Sequence, residues 1–432
     1  MSKKLFFLSI LGLSLSANAQ TWVQDSAVMS PTYRNDVFYS MKNGFVKASG
    51  NLSWNLAFSL LHAAPPTDVL KSTTIRMNGG RGTEVYKVTN GAAADFLTFD
   101  TTNWKQFAKV YDSDKVWKEG GLNSTRGMSP FDFGWGDYKV ATYNVLGDSC
   151  YIIKLGNGQV KKLIIDTLVY DSMFVFRYAD LDNQNLKTVQ LMKNNYNGKD
   201  FVYYSLGNDS IQDREPARTS WDILFTRYQT HIVAPGLDTF YSVMGVLANG
   251  GIECAKAKGV NTDTSWHWNS TFNKDINVIG WDWKNAPQGP PPATWTLVDS
   301  LAYFVKDASG DIYKLVFTKF GGALNGVSEF KKVKYTTNGI GFSQAEAPFS
   351  FGLFPNPAND FVNLVYSPNT KPAATTIRIC NMNGKVLATT NFMPSTGLRQ
   401  ELINTSNFAN GMYVISIESN GFNIQGRFIV AR

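Results

Sequence analysis

Two short aromatic stretches, far apart in the chain, constrain its fold more than any other feature. Residues 53–58 read Ser-Trp-Asn-Leu-Ala-Phe, and residues 220–225 read Ser-Trp-Asp-Ile-Leu-Phe. Each stretch places Trp, an aliphatic residue and Phe within six positions without a helix breaker, which is typical of a buried β-strand. Each also follows a Tyr-Ser pair, at residues 39–40 and 204–205. The recurrence predicts two copies of one structural unit.

Along the second stretch, strand alternation predicts that Trp221, Ile223 and Phe225 share one face, with Arg227 at the end of that face. The opposite face would then carry Asp222. We interpret these residues as determinants of the fold and assign none of them a catalytic role.

A β-hairpin pattern also recurs, at a constant offset of 152 residues. The first copy comprises Tyr151, Lys154, Gly158, Lys162 and Leu163, and the second Tyr303, Lys306, Gly310, Lys314 and Leu315. The two Trp stretches are 167 residues apart, so the intervening loops differ in length. Matching order with length changes confined to loops favours duplication. We predict β domains over residues 20–197 and 198–338.

The composition favours an all-β protein of several domains. A chain of 432 residues is too long to fold around a single hydrophobic core. Aromatic residues make up 14% of it, and they suit pleated, half-buried surfaces, while a charged fraction of only 17% argues against disorder. The net charge of +7 is spread along the chain without a dense basic run, so we do not expect a nucleic-acid partner.

The sequence contains three cysteines, Cys150, Cys254 and Cys380, which limit the disulfides and metal sites that it can form. None belongs to a CxxC pair, so the sequence predicts no structural zinc site. Two alternatives stay open for an exported chain, namely a Cys150–Cys254 disulfide and three buried free thiols.

The N-terminus has the pattern of a secretory signal peptide over residues 1–19. Lys3 and Lys4 precede an apolar run at residues 5–15, and an Ala-x-Ala site predicts cleavage between Ala19 and Gln20. The apolar run is shorter than the roughly 20 residues that a membrane span needs. No later segment is apolar and long enough to span a membrane, so the sequence predicts export.

Residues 339–352 are predicted to be a linker, and residues 353–432 a compact β module. The module resembles the C-terminal sorting domain of the type IX secretion system of Bacteroidetes. The motif residues that carry the resemblance are Pro355, Asn356, Pro357, Asp360, Gly411 and Tyr413. The resemblance implies an Ig-like β-sandwich that the outer-membrane translocon recognises, and a protein that is secreted or attached to the cell surface. An accessory carbohydrate-binding sandwich is the alternative.

Each predicted β domain resembles the HmuY-like family of secreted all-β proteins, whose best-known members bind haem. The Tyr-Ser openings, the stretch at residues 220–228 and the hairpin around Gly310 carry the resemblance. It is weaker in the first domain, where Asn55 replaces the acidic residue Asp222. The resemblance implies two tandem HmuY-like domains and haem as a possible ligand.

The haem ligands of that family, His or Met from loops in the middle of the domain, have few counterparts in this chain. Its histidines are His62, His231 and His267, and Asn285 occupies the position where a ligand is expected. We retain His267 and Met128 as weak candidates for haem ligation and favour a packing role for both.

The sequence contains no catalytic or metal-binding constellation. GxSxG, HExxH, EF-hand and P-loop motifs are absent. Asp282 between Trp281 and Trp283 resembles the surfaces that grip sugars, although core packing is the favoured interpretation of the Trp281–Trp295 region. We therefore predict a non-enzymatic binding protein. A glycan-binding or glycan-active protein and a structural envelope protein are the alternatives.

Overall fold

The computed structural model describes residues 22–63, 68–88, 93–265, 270–287, 294–335, 349–368, 375–392, 399–419 and 422–432. The predicted signal peptide with its Ala19–Gln20 cleavage site, most of the predicted linker, and His267 lie outside these ranges. The chain divides into two compact units, Val23–Lys334 and Tyr335–Arg432. We describe each unit separately.

The regular secondary structure of the first unit is mostly β-strand, which confirms the predicted all-β class. Its strands are β1 (Val23–Val28), β2 (Asn35–Ser40), β3 (Gly44–Gly50), β4 (Leu56–Ser59), β5 (Ile75–Met77), β6 (Glu84–Lys87), β7 (Ala108–Val110), β8 (Gly136–Lys139), β9 (Asn144–Gly147), β10 (Cys150–Lys154), β11 (Val160–Val169), β12 (Met173–Asp180), β13 (Lys187–Met192), β14 (Phe201–Ser205), β15 (Ser210–Gln212), β16 (Ile223–Ala234), β17 (Leu237–Ala248), β18 (Glu253–Lys258), β19 (Lys284–Asn285), β20 (Thr296–Leu297), β21 (Leu301–Lys306), β22 (Ile312–Phe320) and β23 (Val327–Lys334).

Helical structure in this unit is limited to short turns. The α-helical turns are α1 (Leu70–Thr73) and α2 (Gly322–Asn325), and the 3-10 turns are Pro31–Tyr33, Gly79–Arg81, Ala93–Asp95, Trp104–Gln106, Gly121–Asn123, Lys193–Tyr196 and Arg218–Ser220. No helix in the described ranges is long and apolar enough to cross a membrane.

Two separate cores divide the first unit into two lobes. The core of lobe 1 is built from residues within 56–206. The core of lobe 2 combines residues within 27–41 with residues within 223–330. We define lobe 1 as residues 51–212, and lobe 2 as residues 23–50 together with 213–334. Lobe 1 is therefore one continuous segment inserted into lobe 2.

Each lobe contains a smaller and a larger sheet. The smaller sheets have the strand orders β15-β14-β4-β5 in lobe 1 and β17-β16-β2-β3 in lobe 2. The larger sheets have the orders β13-β12-β11-β10-β6-β7, with β8 and β9 attached through β11, and β1-β23-β22-β21-β18. Corresponding strands therefore occupy corresponding places in the two lobes.

The Tyr-Ser strand of each half of the chain pairs with the Trp strand of the other half. In lobe 2, β2 lies antiparallel to β16, with Tyr39 opposite Ile223. In lobe 1, β14 lies antiparallel to β4, with Tyr204 opposite Leu56. The cores therefore divide the chain at positions other than the predicted boundary between residues 197 and 198. That boundary would separate β14 from its partner strand β4. Sequence patterns indicate which segments form strands. They do not indicate which of two distant strands becomes the partner, and the strand exchange depends on that pairing.

Matching side-chain hydrogen bonds fix the strand exchange in both lobes. The backbone N–H of Leu206 donates to Asn55 Oδ1 at 2.9 Å, and the N–H of Met41 donates to Asp222 Oδ2 at 2.6 Å. Asn55 and Asp222 therefore have the same structural role, as acceptors of one backbone hydrogen bond. An amide can replace the carboxylate because the contact needs only an acceptor oxygen.

A second matching contact holds the Trp segments. Asn78 Nδ2 donates to the carbonyls of Asn51 and Trp54, and Asn249 Nδ2 donates to those of Arg218 and Trp221. Each asparagine begins an Asn-Gly-Gly sequence, so the glycine pairs mark turns, as predicted.

The two closing hairpins also match in register. Tyr151 lies opposite Leu163 and Tyr303 lies opposite Leu315. The long strands β11 and β22 each carry a register shift, between Ile165 and Thr167 and between Phe317 and Lys319. These bulges are at equivalent positions, and a bulge bends a strand around its core.

The predicted face of the second Trp stretch is wrong for its first residue. Ile223 and Phe225 are in the core of lobe 2, as predicted. Trp221 instead packs against Leu224 and edge-on against Phe38, with the ring centroids 5.1 Å apart. The strand ladder begins only at Ile223, after a 3-10 turn, so strand alternation does not extend back to Trp221.

The second unit is a two-sheet β module. Its strands are β24 (Phe349–Phe354), β25 (Phe361–Pro368), β26 (Thr375–Asn381), β27 (Val386–Phe392), β28 (Arg399–Asn404), β29 (Gly411–Ser419) and β30 (Phe422–Val430). One sheet has the order β24-β25-β28 and the other β27-β26-β29-β30. Residues of both sheets, including Leu364 and Ile415, share one core. This arrangement is the predicted β-sandwich.

The core division predicts which fragment of the first unit folds alone. A fragment of residues 51–212 retains the β14–β4 pairing and the complete core of lobe 1. A fragment of residues 20–197 lacks β14 and contains β1–β3 without their partner strands. We expect cooperative thermal unfolding by circular dichroism for residues 51–212 alone. Cooperative unfolding of residues 20–197 together with a disordered 51–212 fragment would contradict the division.

Candidate ligand cavity between the lobes

A cavity of about 70 Å³ lies between the two lobes of the first unit. We call it the interlobe cavity. Lobe 1 contributes Trp54, Ala57, Arg76, Met77, Asn78, Gly79, Gly80, Asp112, Trp117, Phe201 and Tyr203, and lobe 2 contributes Asp36, Arg214, Leu224, Thr226, Arg227, Tyr228, Gln229 and Leu247. Concave sites with aromatic walls and a few fixed polar groups are typical of ligand binding.

Trp117 is the side chain that joins the lobes at this cavity. Its ring packs beside Phe201 of lobe 1 and beside Leu224 and Leu247 of lobe 2. Its indole Nε1 donates to the carbonyl oxygen of Ala248 at 2.8 Å. One large side chain therefore contacts the smaller sheets of both lobes and carries a fixed hydrogen bond across the junction.

Arg76 holds the loop that presents Trp117. The Arg76 guanidinium lies 5.1 Å from the Trp117 ring and donates to the carbonyls of Ser113, Val116 and Trp117. Its Nε lies 3.8 Å from Asp112, which also accepts from the backbone N–H groups of Met77 and Gly121. Burial raises the pKa of Asp112, while Arg76 opposes that shift. The loop is thus ordered by a charged centre rather than by regular structure.

A buried ion pair forms the opposite wall. Arg214 Nη2 lies 2.7 Å from Asp36 Oδ2, and both side chains are less than a tenth exposed. Asp36 also accepts from Asn51 Nδ2 and from the Thr226 hydroxyl. The Arg214 guanidinium lies 4.9 Å from the Tyr203 ring. Fully hydrogen-bonded pairs of this kind specify geometry, because removing one partner leaves a buried charge alone.

Glu215 lies next to the cavity and is 2% exposed. It accepts hydrogen bonds from the backbone N–H groups of Asp200 and Phe201 and from the Tyr203 hydroxyl. Burial, together with the nearby Asp200 carboxylate, raises the pKa of Glu215 to about 8. A buried carboxyl that holds its proton near neutral pH acts here as a structural hydrogen-bonding group.

One of the two sequence-predicted haem candidates lies within the described residues. Met128 is fully exposed, and His267 is outside the described residues. His62 Nδ1 lies 3.4 Å from Asp171, and His231 Nε2 lies 2.5 Å from Asp238; about half of each imidazole is exposed. Each described histidine therefore has its own carboxylate partner at the surface.

The loop from Gly280 to Asn285 is largely a packing element, as the core interpretation predicted. Trp283 is 1% exposed and stacks on Phe317 with the ring centroids 3.8 Å apart. Asp282 forms an ion pair with Lys256 at 2.9 Å. Lys284 is buried, and burial lowers its pKa to about 7. The Trp283 ring, which a sugar-binding surface would need to expose, is in the core of lobe 2.

The remaining chemical candidates are also structural. None of the three cysteines forms a disulfide; Cys150 and Cys254 are buried thiols and Cys380 is a partly buried one. In the described ranges, no group of three His, Cys, Asp or Glu side chains could hold a metal ion.

Sequence reasoning singled out only part of the lining of the interlobe cavity, namely residues of the two Trp stretches, and it interpreted them as determinants of the fold. Trp117, Arg76 and Arg214 belong to no motif that the sequence shows. Their roles depend on strand exchange, because Arg214 meets Asp36 only when the two halves are interleaved. The spacing of hydrophobic residues contains no signal for such a contact.

The motif residues of the second unit join its first loop to its last strand. Asn356 Oδ1 accepts the backbone N–H of Ile429 at 2.8 Å. Asp360 Oδ1 lies 3.6 Å from Arg432 Nε. Tyr413 packs on Phe428 with the ring centroids 5.5 Å apart, and its hydroxyl donates to Ala409 O. Pro355 and Pro357 lie in the loop after β24, and Gly411 begins β29.

Residues 352–431 match the family described as a secretion system C-terminal sorting domain. The second unit is a type IX sorting domain. The sorting domain indicates export of the protein to the cell surface or into the medium, and implies an interaction with the secretion system. The predicted localisation is thereby confirmed.

Comparison with solved structures found distant neighbours. One is a HmuY-like protein of Bacteroides vulgatus, described as heme-binding, with 12% identity and a TM-score of 0.19 over 31% of this chain and 83% of that chain. Another is dimeric latent PorU of Porphyromonas gingivalis, with 11% identity and a TM-score of 0.17 over 67% of this chain and 32% of that chain. A comparison with curated proteins found no match.

Glu215 predicts a specific dependence of stability on pH. Because its pKa in the folded state lies above the ordinary carboxyl value, the folded protein holds a proton that the unfolded chain releases. Stability should therefore fall as pH rises from about 5 towards 8, by at most about 1.4 kcal/mol per pH unit. Denaturant unfolding of Glu215→Gln should show a flatter pH profile.

The matched control is Glu119→Gln, because Glu119 is a surface carboxylate paired with Arg126. That variant should keep the pH profile of the unchanged protein. Parallel profiles for the unchanged protein and Glu215→Gln would contradict the protonated state of Glu215.

Proposed function

We propose that this protein is an exported, non-enzymatic binding protein built from two HmuY-like units, and that it captures a small ligand in the interlobe cavity. The observation that supports the proposal best is the cavity itself, which both lobes line with aromatic and charged side chains. Matching strand orders, bulges and Asn contacts support a duplicated origin of the lobes.

The size of the cavity limits the ligand. Pockets for drug-sized ligands usually measure roughly 300–1,000 Å³, whereas the interlobe cavity measures about 70 Å³. A ligand of a few non-hydrogen atoms fits this volume and a porphyrin does not. Haem capture, which the HmuY-like resemblance suggests, would require another site, and the buried Trp283 removes the main support for a glycan site around residues 281–295.

The polar lining favours binding over chemistry. Asp36 is paired with Arg214, and Arg76 is held by backbone carbonyls. No serine, cysteine or histidine is among the described residues that line the cavity, so the lining supplies no nucleophile with an adjacent imidazole base. Fixed hydrogen-bonding groups beside an aromatic wall would select a ligand by shape and polarity.

An NMR titration tests the cavity directly. The indole N–H resonances of Trp54 and Trp117, assigned with Trp54→Phe and Trp117→Phe, report on an occupant because both rings line the cavity. With acetate, glycerol and imidazole as probes, we expect saturable shifts of these two resonances for at least one probe. Haemin should produce no Soret shift.

Ala57→Leu is the informative variant, because Ala57 lines the cavity and is 3% exposed. The larger side chain should fill the cavity and abolish the shifts. Ala234→Leu, at the exposed last residue of β16, is the matched control and should leave them intact. Absence of saturable shifts with all three probes, or equal shifts in Ala57→Leu, would overturn the proposal.

A further inference from the structure

Three arginines from distant parts of the chain meet beside the junction of the lobes. Arg34 directly follows the 3-10 turn at Pro31–Tyr33, Arg81 ends the turn at Gly79–Arg81, and Arg227 lies in β16. Arg81 Nη1 donates to the Thr32 carbonyl at 3.1 Å. The backbone of Gly80 lies so close to Arg227 that a Cβ atom at position 80 would be 2.1 Å from the Arg227 carbonyl oxygen. These contacts place the Arg81 guanidinium against the turn that precedes Arg34, and the backbone beside Arg81 against that of Arg227.

The positive charge of this arginine cluster is not balanced. Within the described ranges, none of the three guanidinium groups has a carboxylate within ion-pair distance. The nearby Asp36 is already engaged by Arg214, Asn51 and Thr226. Arg81 Nε is buried without a hydrogen-bond acceptor. An unpaired buried donor on a charged group is costly, and an acceptor would offset that cost.

The guanidinium groups also act on one another. Burial lowers the pKa of Arg81, and the charge of Arg227 lowers it further. The charge of Asp36 opposes this shift, and the charge of Arg34 adds a smaller lowering effect. Like charges held near one another repel, and they do so more strongly where water is excluded. Such a cluster is stabilised when a negative group joins it.

The fold itself does not require these charges. Counting from the two Trp residues, Arg227 corresponds to Leu60, and counting from the two Asn-Gly-Gly sequences, Arg81 corresponds to Ile252. Leu60 and Ile252 are buried in the lobe cores. An aliphatic side chain therefore satisfies the same scaffold in the other lobe, and the two arginines are specific to this junction.

The backbone around the cluster is held in a fixed shape. Ser30, Thr32 and Tyr33 have φ angles of 65°, 57° and 57°, in the left-handed region that non-glycine residues seldom occupy. Gly326 packs against Ser30, where a Cβ atom would be 2.1 Å from the Ser30 carbonyl oxygen. The turn that leads into Arg34 is thus packed in one defined backbone conformation, and pre-arranged donors bind a ligand at a lower entropic cost.

We propose that Arg34, Arg81 and Arg227 bind an oxyanion, a phosphate or sulfate group, between the lobes. Guanidinium groups offer planar pairs of N–H donors that match the oxygen spacing of such anions. The Thr32 carbonyl fixes Nη1 of Arg81 and leaves Nη2 for the anion. Bound there, the anion would link lobe 1 through Arg81 to lobe 2 through Arg34 and Arg227, and would stabilise the junction.

Thermal unfolding at constant ionic strength tests the proposal. Inorganic phosphate and sulfate should raise the Tm of the mature protein above its value in chloride, and glucose 6-phosphate distinguishes a phosphorylated solute from free phosphate. The variants Arg81→Ile and Arg227→Leu introduce the residues found at the equivalent positions of the other lobe. They should lose the phosphate-dependent rise in Tm. Their Tm in chloride should equal or exceed that of the unchanged protein, because repulsion is removed.

Three controls separate the possible outcomes. Arg126→Gln removes a surface arginine that is paired with Glu119 and should keep the phosphate effect. Arg227→Lys retains the charge without the planar fork and should weaken phosphate binding at least tenfold by calorimetry. Arg227 also lines the interlobe cavity, whereas Arg81 does not. Ala57→Leu, which fills the cavity, should keep the phosphate effect, and Arg81→Ile should keep the probe shifts of the Trp54 and Trp117 resonances, so the two proposals are distinguished. Equal Tm values in phosphate and chloride, or an equal rise in Arg81→Ile, would overturn the proposal.

Discussion

The pairing of each Tyr-Ser strand with the Trp strand of the other half is the interaction on which the first unit depends. It places Tyr39 opposite Ile223 and Tyr204 opposite Leu56, and it interleaves the two halves. Because lobe 1 is inserted into lobe 2, the chain passes between the lobes twice, and every strand pair lies within one lobe. The cavity between the lobes is therefore closed by contacts across the junction, such as the Trp117 hydrogen bond to Ala248 and the packing of Gly80 against Arg227.

Electrostatics adds a second layer to this junction. Asp36, Arg214, Arg76 and Asp112 are charged groups removed from water, and each has several hydrogen-bonding partners. Groups of this kind contribute little net stability, yet any displacement exposes an unpaired buried charge. They favour one relative position of the lobes. The unpaired arginine cluster differs from them, since its charges have no internal partner and an external anion is the simplest complement.

Local features of this fold could be predicted from the sequence, and long-range pairings could not. The hairpins around Gly158 and Gly310 and the strand character after Trp54 follow from residue spacing and turn chemistry. The sorting domain follows from a motif. The partner of each Tyr-Ser strand is different, because β2 and β14 carry almost the same pattern and either could satisfy either Trp strand. The prediction that Trp221 shares a face with Ile223 was wrong for a related reason, because a turn before Ile223 interrupts the strand alternation that the pattern implies.

The two lobes share strand orders but use their aromatic loops differently. In lobe 2, Trp283 lies in the core of its own lobe, where it stacks on Phe317. In lobe 1, Trp117 reaches across the junction and donates a hydrogen bond to Ala248 of lobe 2. Because one loop fills a core and the other bridges to the neighbouring lobe, the two loops do not form equivalent sites. The cavity is instead lined by both lobes, with Arg76 from lobe 1 and Arg214 from lobe 2 among its charged residues.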